Sequence, residues 1–247
     1  MSRALVWIVL ALAILWSASS ADMGLDKLPG AAPRLGEFLG RMMPPDLSVW
    51  HEVMRGLAET LRIAILGTFF AVILSAGLAV LAAETLVPEA VWRPVRGLLA
   101  MIRSIPLILV AMLMVGAVGL GPLPGILAIT FHATGMLAKF YAEAIDNVAA
   151  APVAALESAG ASRAQQLRWA IWPQMAPVIL RDTVFRFELN LRESLILGIV
   201  GAGGIGLYVQ TYVRSFQYDK AATVTLAIVV LVLASEAVNS ALHKRFS

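Results

Sequence analysis

From Ile63 to Ala83 the chain carries no charged side chain. That stretch is as long as the roughly 20 residues a helix needs to cross a bilayer. Inside hydrocarbon every backbone N–H and C=O must find its partner within the chain, so such a run is restricted to a membrane helix or a fully buried one. Six mostly apolar runs of about that length occur, bounded by charge, Gly or Pro: approximately Ala4 to Ser20, Leu57 to Ala83, Gly97 to Gly119, Pro122 to Ala144, Gln174 to Val200 and Ala221 to Leu242. They predict an all-α membrane protein with six transmembrane helices. The balance of residues agrees, with 60% hydrophobic and 14% charged, against about half and about a quarter in soluble domains.

Composition also excludes several chemistries. The chain has no cysteine, so neither a disulfide framework nor a Cys-ligated metal is available. His51, His132 and His243 are dispersed and form no HExxH pair. A net charge of +3 reads as a topology signal rather than a nucleic-acid footprint.

Arg3, a short apolar stretch and "WSASSA" also fit a secretory signal peptide, but the expectation is an uncleaved first helix over residues 1–20. A linker over 21–56 and a core over 57–247 follow. With six alternating spans, Arg3, the pair Arg93 and Arg96, the group Lys139, Arg163 and Arg168, and Lys244 with Arg245 fall on one side. Short basic loops mark the cytoplasmic side, which places both termini there. "GLGPLPG" is uncharged and falls outside. In the linker, Lys27, Arg34, Arg41 and Arg55 are offset by Asp22, Asp26, Glu37, Asp46 and Glu52. There Leu35, Phe38, Leu39 and Met42 share a helical face, so the segment is either a short interfacial helix or a disordered linker.

One stretch is too polar to cross a membrane. "ALESAGASRAQQLRWAIWPQ" (155–174) is expected to form two short helices broken around Gly160, Ala161 and Ser162. Gly160 adopts a left-handed turn cheaply, Ser162 caps the second helix and Pro173 is expected to stop it. A projecting helix pair of this kind suits a groove on another protein.

The stretch resembles the cytoplasmic loop of membrane subunits in binding-protein-dependent ATP-binding cassette (ABC) importers. That pattern is Glu-Ala-Ala, three residues, Gly, nine residues, Ile-x-Leu-Pro. Ala154-Ala155-Leu156, Gly160 and Ala170-Ile171-Trp172-Pro173 hold its positions. Gly and Pro match, whereas Ala154 replaces the leading acid and Glu157 follows three residues later. "ETLRIAILGT" (59–68), "RSIP" (103–106), "FHATGMLAKFYAEAID" (131–146), "ALESAGASR" (155–163) and "RFELNLRESLILGIVGAGGIG" (186–206) are similar to the phosphonate branch of these permeases. The resemblance implies a type I ABC importer permease fold in a bacterial inner membrane. It makes 21–56 a periplasmic linker and 57–247 a core permease domain with coupling helices at about 150–170.

Further implied are a second permease copy or homologue, an outer substrate-binding protein, and ATPase subunits that bind ATP and Mg. The cargo would be a small phosphorus oxyanion such as phosphonate, phosphite or hypophosphite. ATPase coupling would fall to Ala155, Glu157, Ser158, Gly160, Ala161, Ser162, Arg163 and Pro173. A gate or pore lining would use Ser194, Gly198, Gly201, Gly203, Gly204 and Gly206. No G-x-x-x-x-G-K-[ST] loop occurs, so no cofactor is expected in this chain and ATP falls to a partner.

"GAGGIG" (201–206) formally satisfies G-x-G-x-x-G, and Asp219 stands 18 residues beyond Gly201. The preceding residues continue a membrane helix rather than a strand, so the dinucleotide reading fails. Its glycines predict an irregular loop re-entering the outer mouth of the pore, or else a plain tight turn.

The fifth run holds Arg181, Asp182, Arg186, Glu188, Arg192 and Glu193, summing to zero. At about 2.5–3.5 kcal/mol each near the bilayer centre, they must be paired, shallow or turned to protein or water. Helical spacing predicts Glu188 with Arg192 and Asp182 with Arg186, a self-neutralising scaffold. His132, Lys139 and Glu143 share a face of the fourth run. His132 is read as a packing residue, and Arg103 as snorkelling to the cytoplasmic interface with Pro106 bending the helix above it.

Two rival functions stay open at this level. A proton-coupled secondary transporter of an anion would use Glu188, Glu193 and His132 and carry internal repeats. An intramembrane hydrolase would pair Ser194 with His132.

Overall fold

The computed structural model describes residues 3–20 and 29–246, with side chains described as far as residue 241. Asp22, Asp26 and Lys27 fall outside the described residues, as do the side chains of Arg3, Ser20, Arg163, His243, Lys244 and Arg245. Two units are distinct, residues 1–44 and 45–247. The first holds α1 (Arg3–Ser20) and α2 (Ala31–Arg41). On α2, Leu35, Phe38 and Leu39 are exposed.

In the second unit a 3-10 turn (Leu47–Val49) leads into α3 (Trp50–Ala82). α4 (Glu89–Ser104), α5 (Leu107–Val118) and α6 (Pro122–Asp146) follow. Then come α7 (Ala150–Ser158), α8 (Arg163–Gln166) and a π turn (Leu167–Ile171) running into α9 (Trp172–Leu197). α10 (Gly206–Arg214) and α11 (Tyr218–Phe246) complete the unit.

α3 and α6 form the spine, because small residues let their backbones approach. A Cβ placed on Gly67 would lie 2.6 Å from Ile129 Cγ2. Ala64, Ala71, Ala133 and Ala138 are fully buried, with Ile63, Ile129 and Leu137 filling the seam. Close contact of this kind is how helices associate where lipid removes the usual hydrophobic drive. Polar groups stitch α3 to α6 and to α9. Ser75 Oγ donates to the Thr134 carbonyl at 3.3 Å, and Asn190 Nδ2 of α9 donates to Thr68 Oγ1 at 2.8 Å. Outward, Ile65, Phe69, Phe70 and Ile73 of α3 are exposed, as are Val229, Val230 and Leu233 of α11, faces that suit lipid.

Among the described residues three helices are long and apolar enough to cross a membrane: Leu47–Ala82, Pro122–Asp146 and Tyr218–Ala241. The expected third span is broken. Ile105 before Pro106 is extended at ψ 121°, as a residue preceding proline is, so α4 ends and α5 restarts at 85° to it. Taken as one bent span, the pair makes four. α1 is a shorter apolar helix, and α9, though 26 residues long, carries six charges. Six spans therefore exceed what length and composition support.

Candidate functional site

At the end of the bundle where α6 finishes, Asp146 gathers the α3–α4 turn. Its carboxylate accepts from the Thr85 N–H at 3.0 Å, the Thr85 hydroxyl at 2.9 Å and the Glu84 N–H at 3.2 Å. Arg96 of α4 donates to it at 2.7 Å and to the Ala82 carbonyl at 2.8 Å, and also pairs with Glu84. The next residues lead into α7, so the polar segment hangs from a cross-braced corner. Sequence reading missed Asp146, Thr85 and Glu84, which lie more than 60 residues from their partner, and gave Arg96 a topological role only.

The segment itself folds largely as its residues dictate. α7 ends at Ser158 and Gly160 turns at φ +77°. The Ser162 N–H donates to Gln165 Oε1 at 2.8 Å and the Gln165 N–H to Ser162 Oγ at 3.4 Å, a reciprocal cap. Pro173 does not stop the helix. The Trp172 N–H reaches back five residues to the Leu167 carbonyl, and this π turn carries the chain past the proline's missing donor into α9. Gln174 ties the joint together: its Oε1 accepts from the Ala149 N–H at 3.0 Å and its Nε2 donates to the Ala170 carbonyl at 2.7 Å.

Ala155, Glu157, Ser158, Gly160 and Ser162 are exposed, and Ala161 is half-buried. Leu167, Trp169 and Trp172 are exposed as well, with the Arg168 guanidinium 5.4 Å from the Trp169 ring centre. A cavity of about 820 Å³ opens behind them, lined by Val72, Ala76, Tyr141, Leu167, Ile171 and Trp172 among others.

Midway along the bundle, Arg186 of α9 is buried. Its Nη2 donates to Glu193 Oε2 at 2.8 Å and to His132 Nδ1 at 3.1 Å, and its Nη1 meets Met136 Sδ at 3.4 Å. An arginine has only donors, so His132 Nδ1 is the accepting nitrogen. The expected Asp182–Arg186 pair is not made. Asp182 instead lies 3.3 Å from Arg181, because Arg186 turns into the bundle toward Glu193 two turns away. The expected Glu188–Arg192 pair does form at 2.5 Å, and Arg192 also reaches Glu236 of α11 at 2.7 Å while Asn239 donates to Glu188. Lys139 pairs with Glu143 at 3.3 Å.

The stem of Arg103 stands well in from the end of the bundle. It packs on Gly135, near the middle of α6, where an added Cβ would lie 3.2 Å from Arg103 Cγ and 2.7 Å from Ile102 Cγ2.

At the opposite end the glycine run is buried, not a plain exposed turn. Residues 201–206 are all buried, wedged among α3, α6 and α9. Gly203, at φ +82°, leaves no room for a side chain: a Cβ would lie 2.6 Å from Glu59 Oε1 and 2.8 Å from Pro122 Cα. At Gly206 it would lie 2.0 Å from the Leu195 carbonyl. Thr60 fastens the loop, its hydroxyl accepting from the Ile205 N–H at 2.8 Å and donating to the Gly56 carbonyl at 2.9 Å. Sequence reading missed Thr60. Ser194 is fully buried and donates to the Leu191 carbonyl at 2.7 Å, so it neither lines an open path here nor pairs with His132 as a hydrolase would require.

A helical bundle with helices long and apolar enough to cross a membrane, a polar joint at one end, a paired charge cluster at mid-depth and a buried glycine loop at the other is the architecture of an integral membrane protein. The chain belongs to the family of binding-protein-dependent transport system inner membrane components, whose model matches residues 75–247. It is 40% identical over 215 residues to the phosphite transport system permease protein PtxC of Stutzerimonas stutzeri, covering 87% of this chain and 78% of that protein. It is 37% identical over 229 residues to the phosphate-import permease protein PhnE of Mycolicibacterium smegmatis, covering 92% of this chain and 43% of that one.

Among solved structures, the inward-facing MetNI methionine ABC transporter matches at a TM-score of 0.70 and 20% identity, over 82% of this chain and 99% of that chain. A bacterial alginate ABC transporter in complex with its pentasaccharide-bound periplasmic protein matches at 0.63 and 18%, over 98% and 94%. At such identities the likeness shows the fold alone. Membership makes the chain a non-catalytic membrane subunit whose ATPase is a separate chain, and it sets aside both the secondary transporter and the hydrolase.

Proposed function

We propose that this chain is the permease subunit of an ATP-driven importer for a small phosphorus oxyanion, of the phosphite and phosphonate class. The observation that carries the cargo is the 40% identity to a phosphite permease over 87% of the chain. The methionine and alginate transporters share only the fold. In this reading α1, α3, the bent α4–α5 pair, α6, α9 and α11 make six crossings, α9 being admitted because its charges are paired. Both termini are cytoplasmic, and α2 lies on the periplasmic surface.

Two permease copies enclose the path. The segment from α7 through the π turn docks into a cleft on each ATPase, which supplies ATP and Mg, while a periplasmic binding protein delivers the oxyanion. Exposed Glu157 and Ser162, with Ala155, Ser158, Gly160, Ala161 and Arg163, form the contact surface, and the Asp146 corner passes ATPase closure into α3, α4 and α6. The buried glycine loop, with Gly198, Gly201, Gly203, Gly204 and Gly206, serves as the outer gate in its closed form. Irregular backbone at that depth is tolerated where protein buries it or where it lines a cavity.

Reconstitution tests the reading. Proteoliposomes holding the permease, its ATPase and its binding protein should take up phosphite only with ATP, and permease alone should take up none.

A further inference from the structure

Three cationic or proton-bearing groups converge on one face of α6, and only part of their charge is compensated. Arg103 is exposed, and among the described residues nothing bonds its guanidinium. Gly135, against which it packs, lies eleven residues from the end of α6 at Asp146, so at about 1.5 Å per residue Arg103 stands roughly 17 Å in from that end. A guanidinium facing hydrocarbon at that depth costs about 2.5–3.5 kcal/mol or more, so this face meets water or another subunit.

His132 is one turn from Gly135 on the same side of α6, and it holds Arg186. Both Arg103 and Arg186 lie close enough to His132 to act on it electrostatically. The cluster contains two guanidinium groups and one carboxylate, Glu193, which leaves one positive charge over. Arg186 Nε is also buried with no partner.

We propose that Arg103, His132 and Arg186 form a mid-membrane station for the transported oxyanion, an inference that rests on the cargo assigned above. Arg103 supplies the grip. Its planar fork matches two oxygens of a tetrahedral phosphorus anion. With Nδ1 accepting from Arg186, neutral His132 carries its proton on Nε2 and can donate it to a third oxygen. Arg186 adds field rather than a second clamp, because Glu193 already holds it at 2.8 Å. One uncompensated charge binds an anion without trapping it, as a path needs sites that are weak enough to leave. The Glu188–Arg192 pair, by contrast, is committed to α11 through Glu236 and Asn239 and belongs to the scaffold.

The test is phosphite uptake and ATP hydrolysis, measured together in proteoliposomes of the full complex with its binding protein. Arg103→Gln should lower phosphite taken up per ATP hydrolysed about tenfold, while Arg103→Lys, which keeps the charge and loses the fork, should lower it by only about threefold. An unchanged ratio in Arg103→Gln overturns the station alone. Uptake and hydrolysis lost in step in both variants would mark a folding role and would also overturn it. A wild-type complex that takes up neither phosphite, phosphonate nor phosphate overturns the cargo reading, and the station with it.

Discussion

Arg186 and Glu193 meet two turns apart on a single helix, Nη2 to Oε2 at 2.8 Å, with the arginine side chain only 2% exposed. The pair replaces the one-turn pairing that helical spacing favours, and it turns the most buried charge of α9 inward toward α6. Removing one partner of a buried pair leaves a naked charge, which typically costs about 3–5 kcal/mol, whereas replacing both with apolar residues is often neutral. Glu193→Ala should therefore lower thermal stability of the purified permease sharply. The double replacement Arg186→Met with Glu193→Met should recover most of it. Additive losses in the double variant would show that the two groups act separately.

Much of this was legible in the sequence, and what was not has a common cause. Gly160 and Ser162 announce a turn and a cap through local chemistry, and both act as their residue types dictate. The glycine run at 201–206 signals irregular backbone for the same reason. Asp146, Thr60 and Glu236 gave no such signal, since each draws its meaning from a partner 44 or more residues away. Pro173 misled because a helix can pass a proline if a π turn relieves the missing donor, and the sequence does not display that wider turn. The depth of the Arg103 stem was hidden because the notch at Gly135 that receives it belongs to another helix.

The glycine loop is held by close approach. Gly206→Ala would place a methyl 2.0 Å from the Leu195 carbonyl, so the loop must shift, at a cost of about 1–3 kcal/mol or more. Limited proteolysis between α9 and α10 should rise in that variant. Gly97→Ala, where nothing lies within 4 Å, should leave the pattern unaltered.

Thr60 bonds the same loop through its hydroxyl at 2.8 Å. Thr60→Val keeps the shape but strands the buried Ile205 N–H, a loss of about 1–3 kcal/mol. Thr60→Ser should retain the bond and most of the stability. Thermal unfolding in detergent distinguishes them, and equal losses would show that packing rather than the bond matters.

Asp146 braces the corner from which the α7 segment hangs. Asp146→Ala removes the acceptor for two backbone N–H groups, the Thr85 hydroxyl and Arg96. ATPase stimulation by the loaded binding protein should fall severalfold, with the permease still inserted in the membrane. Stimulation equal to wild type would remove the corner from the coupling route.

In the proposed cycle ATP drives an oxyanion through this chain by way of the segment around Gly160. Gly160 sits at φ +77° with open space around it, so Gly160→Val strains the turn by about 1–2 kcal/mol without a packing clash. The most direct measurement is phosphite uptake by proteoliposomes of the whole complex, wild type against Gly160→Val, with ATP hydrolysis followed in the same vesicles. Wild type should show ATP-dependent uptake, and the variant should still assemble in the membrane while losing both uptake and coupled hydrolysis. Uptake that proceeds on a proton gradient without ATPase, or that survives Gly160→Val with hydrolysis fully coupled, would contradict the proposed cycle.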